Sequence, residues 1–311
     1  MLLGEAAELC YNVTSSYLKI AAQANSIIAQ TQQAITTTKN ILINDTFPRW
    51  SPLNGEISFS YNGGKDCQVL LLLYLSCLWE YYIIKIGESQ YDSQYHRFPL
   101  NKLPTVFIDH DDTFKTLEKF IMQTSQRYSL SLYESDRDKC ETMAEAFETF
   151  LNVFPETQAI VIGIRHTDPF GEYLKPIQKT DSNWPDFYRL QPLLHWNLAN
   201  IWSFLLYSNE PICELYHYGF TSLGNVEETF PNPDLEIKEG QPPRQHSFQW
   251  EIENKYKHNE KTKAELNMLD ESDVLLLSKL KHKYYPGWYL IDDKSERAGR
   301  IKKPKQNGNG K

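Results

Sequence analysis

Ile57-Ser58-Phe59-Ser60-Tyr61-Asn62-Gly63-Gly64-Lys65-Asp66-Cys67-Gln68-Val69-Leu70-Leu71-Leu72-Leu73-Tyr74-Leu75 passes from a β-favouring run, through paired glycines, into a stretch that is apolar on every side. The first five residues are rich in aromatic and β-branched types and end at a glycine turn, which predicts a strand. Asp66 onward reads as a helix, and a helix apolar all round is one buried inside a domain. A strand, a tight turn and a buried helix in succession form the opening unit of an α/β sheet.

The same alternation continues downstream. Thr105–Ile108 predicts a second strand ending at Asp109, and Thr113–Gln123 an amphipathic helix. A weaker strand at Leu130–Tyr133 precedes a helix over Thr142–Leu151, and Ala159–Ile164 is the strongest strand signal in the chain. Short apolar strands alternating with helices give a Rossmann-like parallel sheet with helices on both faces. Upstream, residues 1 to about 45 read as N-terminal helices. Pro169–Gln191 has no period and reads as a long loop, a kind that is usually functional. Helix returns at Leu198–Tyr207. Residues 231–262 read as an exposed insertion, Ser272–Lys283 as a last helix, and Ile301–Lys311 as a tail disordered at its end. The organisation is therefore a domain over 1–230 and a C-terminal helical and loop extension over 231–311 that completes the active site.

Composition narrows the function classes. With 41% hydrophobic and 23% charged residues, a folded globular core is expected. A net charge of −8 lacks the footprint of a general nucleic-acid binder, so no nucleic-acid partner is expected. The five cysteines show no C-x-x-C pair and no cluster suited to zinc. No basic segment leads into a long apolar run at the N-terminus, and Val69–Leu78 is too short to cross a bilayer. A cytoplasmic monomer with no membrane partner is the expectation.

In parallel sheets ligands bind outside the carboxyl ends of the strands. Three strand ends here carry polar groups, at Asn62–Asp66, Asp109-His110 and Arg165–Asp168, and should converge on one crevice. Paired glycines between strand and helix leave backbone N–H groups pointing inward, a concave anion site backed by the helix N-terminus. Ser60 and Asn62 add side-chain donors, and Lys65 a positive charge. Asp66, at the helix start, caps the helix or faces a metal ion. The loop is neither a Walker A sequence nor G-x-G-x-x-G.

Ser60–Asp66 resembles the pyrophosphate loop of the N-type ATP pyrophosphatases, which cleave ATP between its α and β phosphates. The resemblance implies adenylyl transfer, with the loop cradling the departing β and γ phosphates. Arg189-Leu190-Gln191-Pro192-Leu193-Leu194-His195-Trp196 and Leu215-Tyr216-His217-Tyr218-Gly219-Phe220-Thr221-Ser222-Leu223-Gly224 are similar to blocks of the PAPS reductase branch. No cysteine follows Cys213, so the reductase's C-terminal thiol chemistry is excluded; the cysteine pairs of tRNA-thiolating relatives are missing too. The blocks Phe59–Cys67, Gly163–Pro169, Asn183-Trp184-Pro185 and Asp292–Arg300 look, in order, like those of the fungal-type FAD synthetases (FMN adenylyltransferases).

That resemblance implies ATP and FMN as substrates, FAD as product, and Mg2+ as cofactor, because two polyanions must meet. Ser60, Asn62, Gly63, Gly64 and Lys65 would hold phosphates. Phe59, Ile108 and Ile164, at strand ends, would hold the adenosine, and Asp109 the ribose. Asp66 and Asp168 are the metal candidates, against the alternative of an N-cap and a loop carboxylate. Arg297 and Arg300, three residues apart, would reach the FMN or α phosphate, with Arg165 and Arg189 as further phosphate candidates. Asp181, Trp184 and Tyr188 would form the isoalloxazine pocket, although Trp184 could equally pack under its own loop. The alternatives are a sulfate-activating adenylyl transferase and a non-catalytic flavin nucleotide carrier.

Overall fold

The computed structural model describes residues 1–88, 97–108, 112–135, 142–257 and 269–301. Six strands form one sheet: β1 Ile57–Ser60, β2 Leu103–Phe107, β3 Leu130–Glu134, β4 Ala159–Val161, β5 Ile177–Lys179 and β6 Tyr188–Leu190. Their order is β3-β2-β1-β4-β6-β5. The pairs β1–β2, β2–β3, β1–β4 and β4–β6 are parallel, and β5 joins β6 antiparallel at the edge. From β1 the chain first builds outward through β2 and β3, then crosses back to lay β4 on the other side of β1. The order reverses between β1 and β4, and a crevice opens at their carboxyl ends.

Side-chain alternation along the strands explains why both faces are covered. Ala159 and Val161 join the large core cluster while Ile160, between them, joins a second one with Val106, Phe147, Phe150 and Phe187. The second cluster is closed by α5, Met143–Val153, whose N-terminus carries a reciprocal capping box between Thr142 and Glu145. The large cluster is built on α3, Lys65–Glu88, in which every residue from Cys67 to Leu78 is buried. Helices α1 (Leu3–Leu18), α2 (Ile27–Asn40), α4 (Lys115–Arg127) and α6 (Leu198–Ser208) are the other α-helices among the described residues of the first 230. Among them α1 packs most extensively on α3, and a turn of π-helix at Ile41–Thr46 extends α2.

Several expectations change in detail. The helix after the glycines runs to Glu88, so by length and composition it could cross a membrane, which Val69–Leu78 alone could not. Its residues from Cys67 to Leu78 instead lie in the core, while Ile83, Ile84 and Ile86 near its end are exposed; the central helix of a folded domain meets the same length and composition criteria. The loop Pro169–Gln191 contains β5 and β6. Three-residue strands carry too little pattern to be seen locally, and both exist only through pairing with β4 and each other. The strand expected over Ala159–Ile164 ends at Val161, because the Ile164 N–H turns back to the Ile162 carbonyl at 3.2 Å.

Residues 231–262 are not simply exposed. Leu235 and Phe248 are fully buried, and Glu251, in the short helix α7 (Gln249–Glu253), accepts a hydrogen bond from Ser203 at 2.6 Å. The last helix, α8, is shorter than expected, at Glu271–Ser278. Past it the chain returns across the sheet's carboxyl edge, pairing Arg300 with Thr229 and Tyr284 with Glu236. Asp109, His110 and the tail from residue 302 lie outside the described residues.

Candidate active site

The chain after β1 makes its turn where no Cβ would fit. Gly63 has φ +70°, and a Cβ there would sit 2.6 Å from Leu117 Cδ1. Tyr61 is wholly buried and donates from its hydroxyl to Gln68 at 2.6 Å, pinning the strand end to the first turn of α3. The exposed Asn62 side chain accepts the Gly64 N–H at 3.0 Å, and the buried Tyr216 hydroxyl accepts the Lys65 N–H at 2.9 Å. The neighbouring strand end approaches equally closely: a Cβ on Gly163 would meet Cys67 Sγ at 2.9 Å and Cys67 N at 3.2 Å. Only glycine lets the β4 end pass against the start of α3.

Behind this turn lies a cluster of charges. Arg165, just after β4, has no exposed surface. Its guanidinium pairs with Asp66 (2.7 Å), Asp168 (3.1 Å), Asp293 (3.0 Å) and Glu296 (2.5 Å). Lys65, also buried, meets Asp66 at 3.1 Å, donates to the Thr221 carbonyl at 2.9 Å, and contacts Glu296. Two cations thus face four carboxylates. Burial opposes the charge on Asp66, but Lys65 and Arg165 outweigh it and hold its carboxyl below the usual range. For Lys65 burial is likewise overcome by Asp66 and Glu296, which keep the ammonium charged. Asp168 goes the other way: burial pushes its carboxyl up, and Asp66 and Glu296 add repulsion against the pull of Arg165. Burial, with Asp66 contributing, pushes the Cys67 thiol up to about 12, so it is a neutral group and no nucleophile at ordinary pH.

In front of the cluster a cleft of about 300 Å³ opens between the two strand ends. Asn62, Gly64, Lys65 and Asp66 line it from the β1 side, Gly163, Ile164 and Asp168 from the β4 side, and Glu296 and Arg297 from the C-terminal segment, so part of the charge cluster borders the cleft itself. A crevice at the switch point of an open sheet, floored by a glycine turn and a helix start, is built for a phosphorylated ligand.

The phosphoadenosine phosphosulfate reductase domain profile matches residues 56–231. Over 308 residues the chain is 60% identical to the flavin adenine dinucleotide synthase of Saccharomyces cerevisiae, covering 97% of this chain and 100% of that one. The chain belongs to the FAD synthase family. Among solved structures it is similar to Candida glabrata FMN adenylyltransferase. In complex with FAD and inorganic pyrophosphate, that enzyme matches at 78% identity and a TM-score of 0.92 over 96% of this chain and 100% of that chain. Its complex with FMN and the ATP analogue AMPCPP matches at 77% identity and a TM-score of 0.89 over the same shares.

Within this FAD synthase fold the other expected residues fall into distinct places. Phe59 is fully buried, its ring against Tyr61 and Tyr74, so only its backbone can meet a ligand. Ser60 is half-buried at the β1 end, and Ile108 packs on the α5 side. Arg189 pairs with Asp181 at 3.0 Å and lies over the Trp184 ring at 5.2 Å, so these three form one group. Trp184 also packs on Phe147 in the second core cluster, which includes the cleft residue Ile162. Tyr188 precedes Arg189 on β6 and faces the opposite side of the sheet, against Trp50 at 4.8 Å. Arg300 lies against Gly224, while Arg297 is exposed at the cleft.

Asp293, Glu296, Tyr216 and Thr221 were not among the expected site residues. All four stood inside the quoted blocks, but nothing local in the sequence says that an acidic residue of the tail will be buried beside Lys65. A lysine and an arginine that fold into a dry site require counter-charges, and that requirement could have prompted a search for them.

Proposed function

We infer that this chain transfers the adenylyl group of ATP to the phosphate of FMN, giving FAD and pyrophosphate. The observation that carries it is the cleft at the β1–β4 switch point, in a chain similar over nearly its whole length to an enzyme crystallised with FMN and an ATP analogue and with FAD and pyrophosphate. An FMN phosphate oxygen attacks the α phosphorus, the bond from that phosphorus to the bridging oxygen of the β phosphate breaks, and pyrophosphate leaves. A phosphate monoester has its second pKa at about 6, so the nucleophile is already anionic and needs no general base. His166 Nδ1, at 2.9 Å from the Gly171 carbonyl, is free to serve the loop alone.

The turn at Gly63-Gly64 receives the β and γ phosphates. The Gly64 and Lys65 N–H groups exchange neutral acceptors, the Asn62 amide oxygen and the Tyr216 hydroxyl, for a charged one; such bonds are roughly twice as strong. Lys65 and Arg165 act from behind, holding Asp66 and Asp168 in place. Arg297 supplies the positive charge at the α phosphate, and the Asp181–Trp184–Arg189 group accepts the flavin ring. No cluster of three ligands is preformed among the described residues, so a hard divalent cation would be held mainly by phosphate oxygens, with Asp66 and Asp168, which border the cleft, as its carboxylates. When bound there, Mg2+ would neutralise phosphate charge and help align the two polyanions.

Incubation of the purified chain with ATP, Mg2+ and FMN should yield FAD and pyrophosphate in equal amounts, and no pyrophosphate without FMN. Absence of FAD, or pyrophosphate release that ignores FMN, would refute this function.

A further inference from the structure

We propose that Glu296 is a positioning residue for this reaction: its carboxylate bridges Lys65 and Arg165 and thereby fixes the backbone that presents Arg297 to the cleft. The inference rests on the adenylyl-transfer function above and on the role given there to Arg297.

Glu296 is only 5% exposed, in a tail segment whose neighbours on both sides are largely open to solvent. One carboxylate oxygen contacts Lys65 Nζ and the other lies 2.5 Å from Arg165. Its partners sit at the first residue of α3 and just beyond β4, the two walls of the cleft. The backbone is held as firmly as the side chain. Thr221 Oγ1 donates to the Glu296 carbonyl at 2.6 Å, and the Thr221 carbonyl accepts Lys65 Nζ at 2.9 Å. Asn232 Nδ2 donates both to Thr221 Oγ1 at 3.0 Å and to the neighbouring Ser295 carbonyl at 2.8 Å. Residue 296 is therefore clamped from inside by ions and from outside by a hydrogen-bonded ring, and the next residue is the exposed arginine lining the cleft.

Net stability is a poor explanation for such a construction, since buried ion pairs are often no better than apolar residues of the same size. Geometry is a better one. An arginine on a loose tail would spread over many positions, and misplacement of a reacting group's partner by about 1 Å can cost on the order of a hundredfold in rate. Glu296 also delivers its neighbour across a long sequence separation to the loop at Lys65, which no local structure could do.

The test is a double-mutant cycle on the full chain, with kcat, both KM values and Tm measured for each protein. Glu296→Gln should lower kcat about thirty- to a hundredfold, with KM for ATP and FMN changed less than about threefold. In an Arg297→Ala background the same change should cost less than about threefold, because there is no guanidinium left to place. A Glu296 that merely supports the fold would give equal losses in both backgrounds and follow Tm; multiplying losses, or normal turnover in Glu296→Gln, overturn the proposal. If Arg297→Ala alone turns over like the parent protein, the arginine's assigned role falls and the positioning role with it. If Arg297→Ala is impaired and the losses multiply, only the positioning role falls. Should Glu296→Gln not fold, Thr221→Val removes just the hydroxyl that ties the Glu296 carbonyl. It should show a smaller loss with the same dependence on Arg297, and independence from Arg297 would be equally fatal.

Discussion

Arg165 and Arg189 both pair with aspartates, one inside the molecule and one at its edge. Arg165 has no exposed surface and all its guanidinium nitrogens are committed, to carboxylates from α3, from its own turn and from the tail. Arg189 meets a single aspartate whose side chain is 65% exposed, and its other face rests on Trp184. The buried arginine cannot exchange partners without leaving a charge stranded in the interior, so it sets geometry. Arg189 is itself largely covered, at 18% exposure, but its partner is open to water; it loses little on exchanging Asp181 for a ligand, because a pair with a solvated carboxylate contributes about 0–1 kcal/mol. One organises the site, and the other is placed to meet a substrate.

The strongest way to break that contrast is Arg165→Met. Removing one side of a buried network leaves carboxylates facing each other, and the loss should be about 3–5 kcal/mol in denaturant unfolding. A loss below about 1 kcal/mol would mean that the cluster does not organise the fold. Next in size is Arg297→Ala, which should cut kcat by roughly a hundred- to a thousandfold, as loss of one electrostatic donor does, while leaving the unfolding midpoint nearly unchanged. Asp181→Asn sharpens the edge side of the comparison. Its stability change should stay under about 1 kcal/mol, and its effect should appear as a rise in KM for FMN with KM for ATP unmoved.

The smallest effect concerns burial without a counter-charge. Burial lowers the pKa of His195, with His166 adding to it and the bond from Nε2 to the Ala34 carbonyl opposing. A ring kept neutral by the fold contributes stability that is present above its unfolded pKa of about 6.5 and is lost as pH falls through the lower folded value. Thermal unfolding between pH 7.5 and pH 5.5, settings chosen to bracket about 6.5, should show this decline. His195→Gln should be flatter over the same range; an identical slope would assign the dependence elsewhere.

Much of the site was legible from residues alone. The glycine pair between a β run and an apolar stretch announced the turn, and the first strand end, Asn62–Asp66, shares one cleft with Asp168 of the second. Other parts were not. The three-residue strands Ile177–Lys179 and Tyr188–Leu190 have no periodicity to detect. Lys65 was expected at the phosphates and does line the cleft, but its ammonium also pairs with Glu296, Asp66 and the Thr221 carbonyl, partners that no local pattern announced. Leu235 and Phe248 looked like parts of an exposed insertion because prolines and charges surround them, yet both fill the core.

The sequence by itself determined where the chain bends and which face is buried, because glycine's steric freedom and the run from Val69 to Leu75 act over neighbouring residues. It also determined, through its ordered blocks, the chemistry to expect. Only the tertiary structure decided which charges are consumed inside and which remain for a substrate. Desolvation and pairing depend on distances between segments far apart in the chain, and no pattern within a segment encodes them.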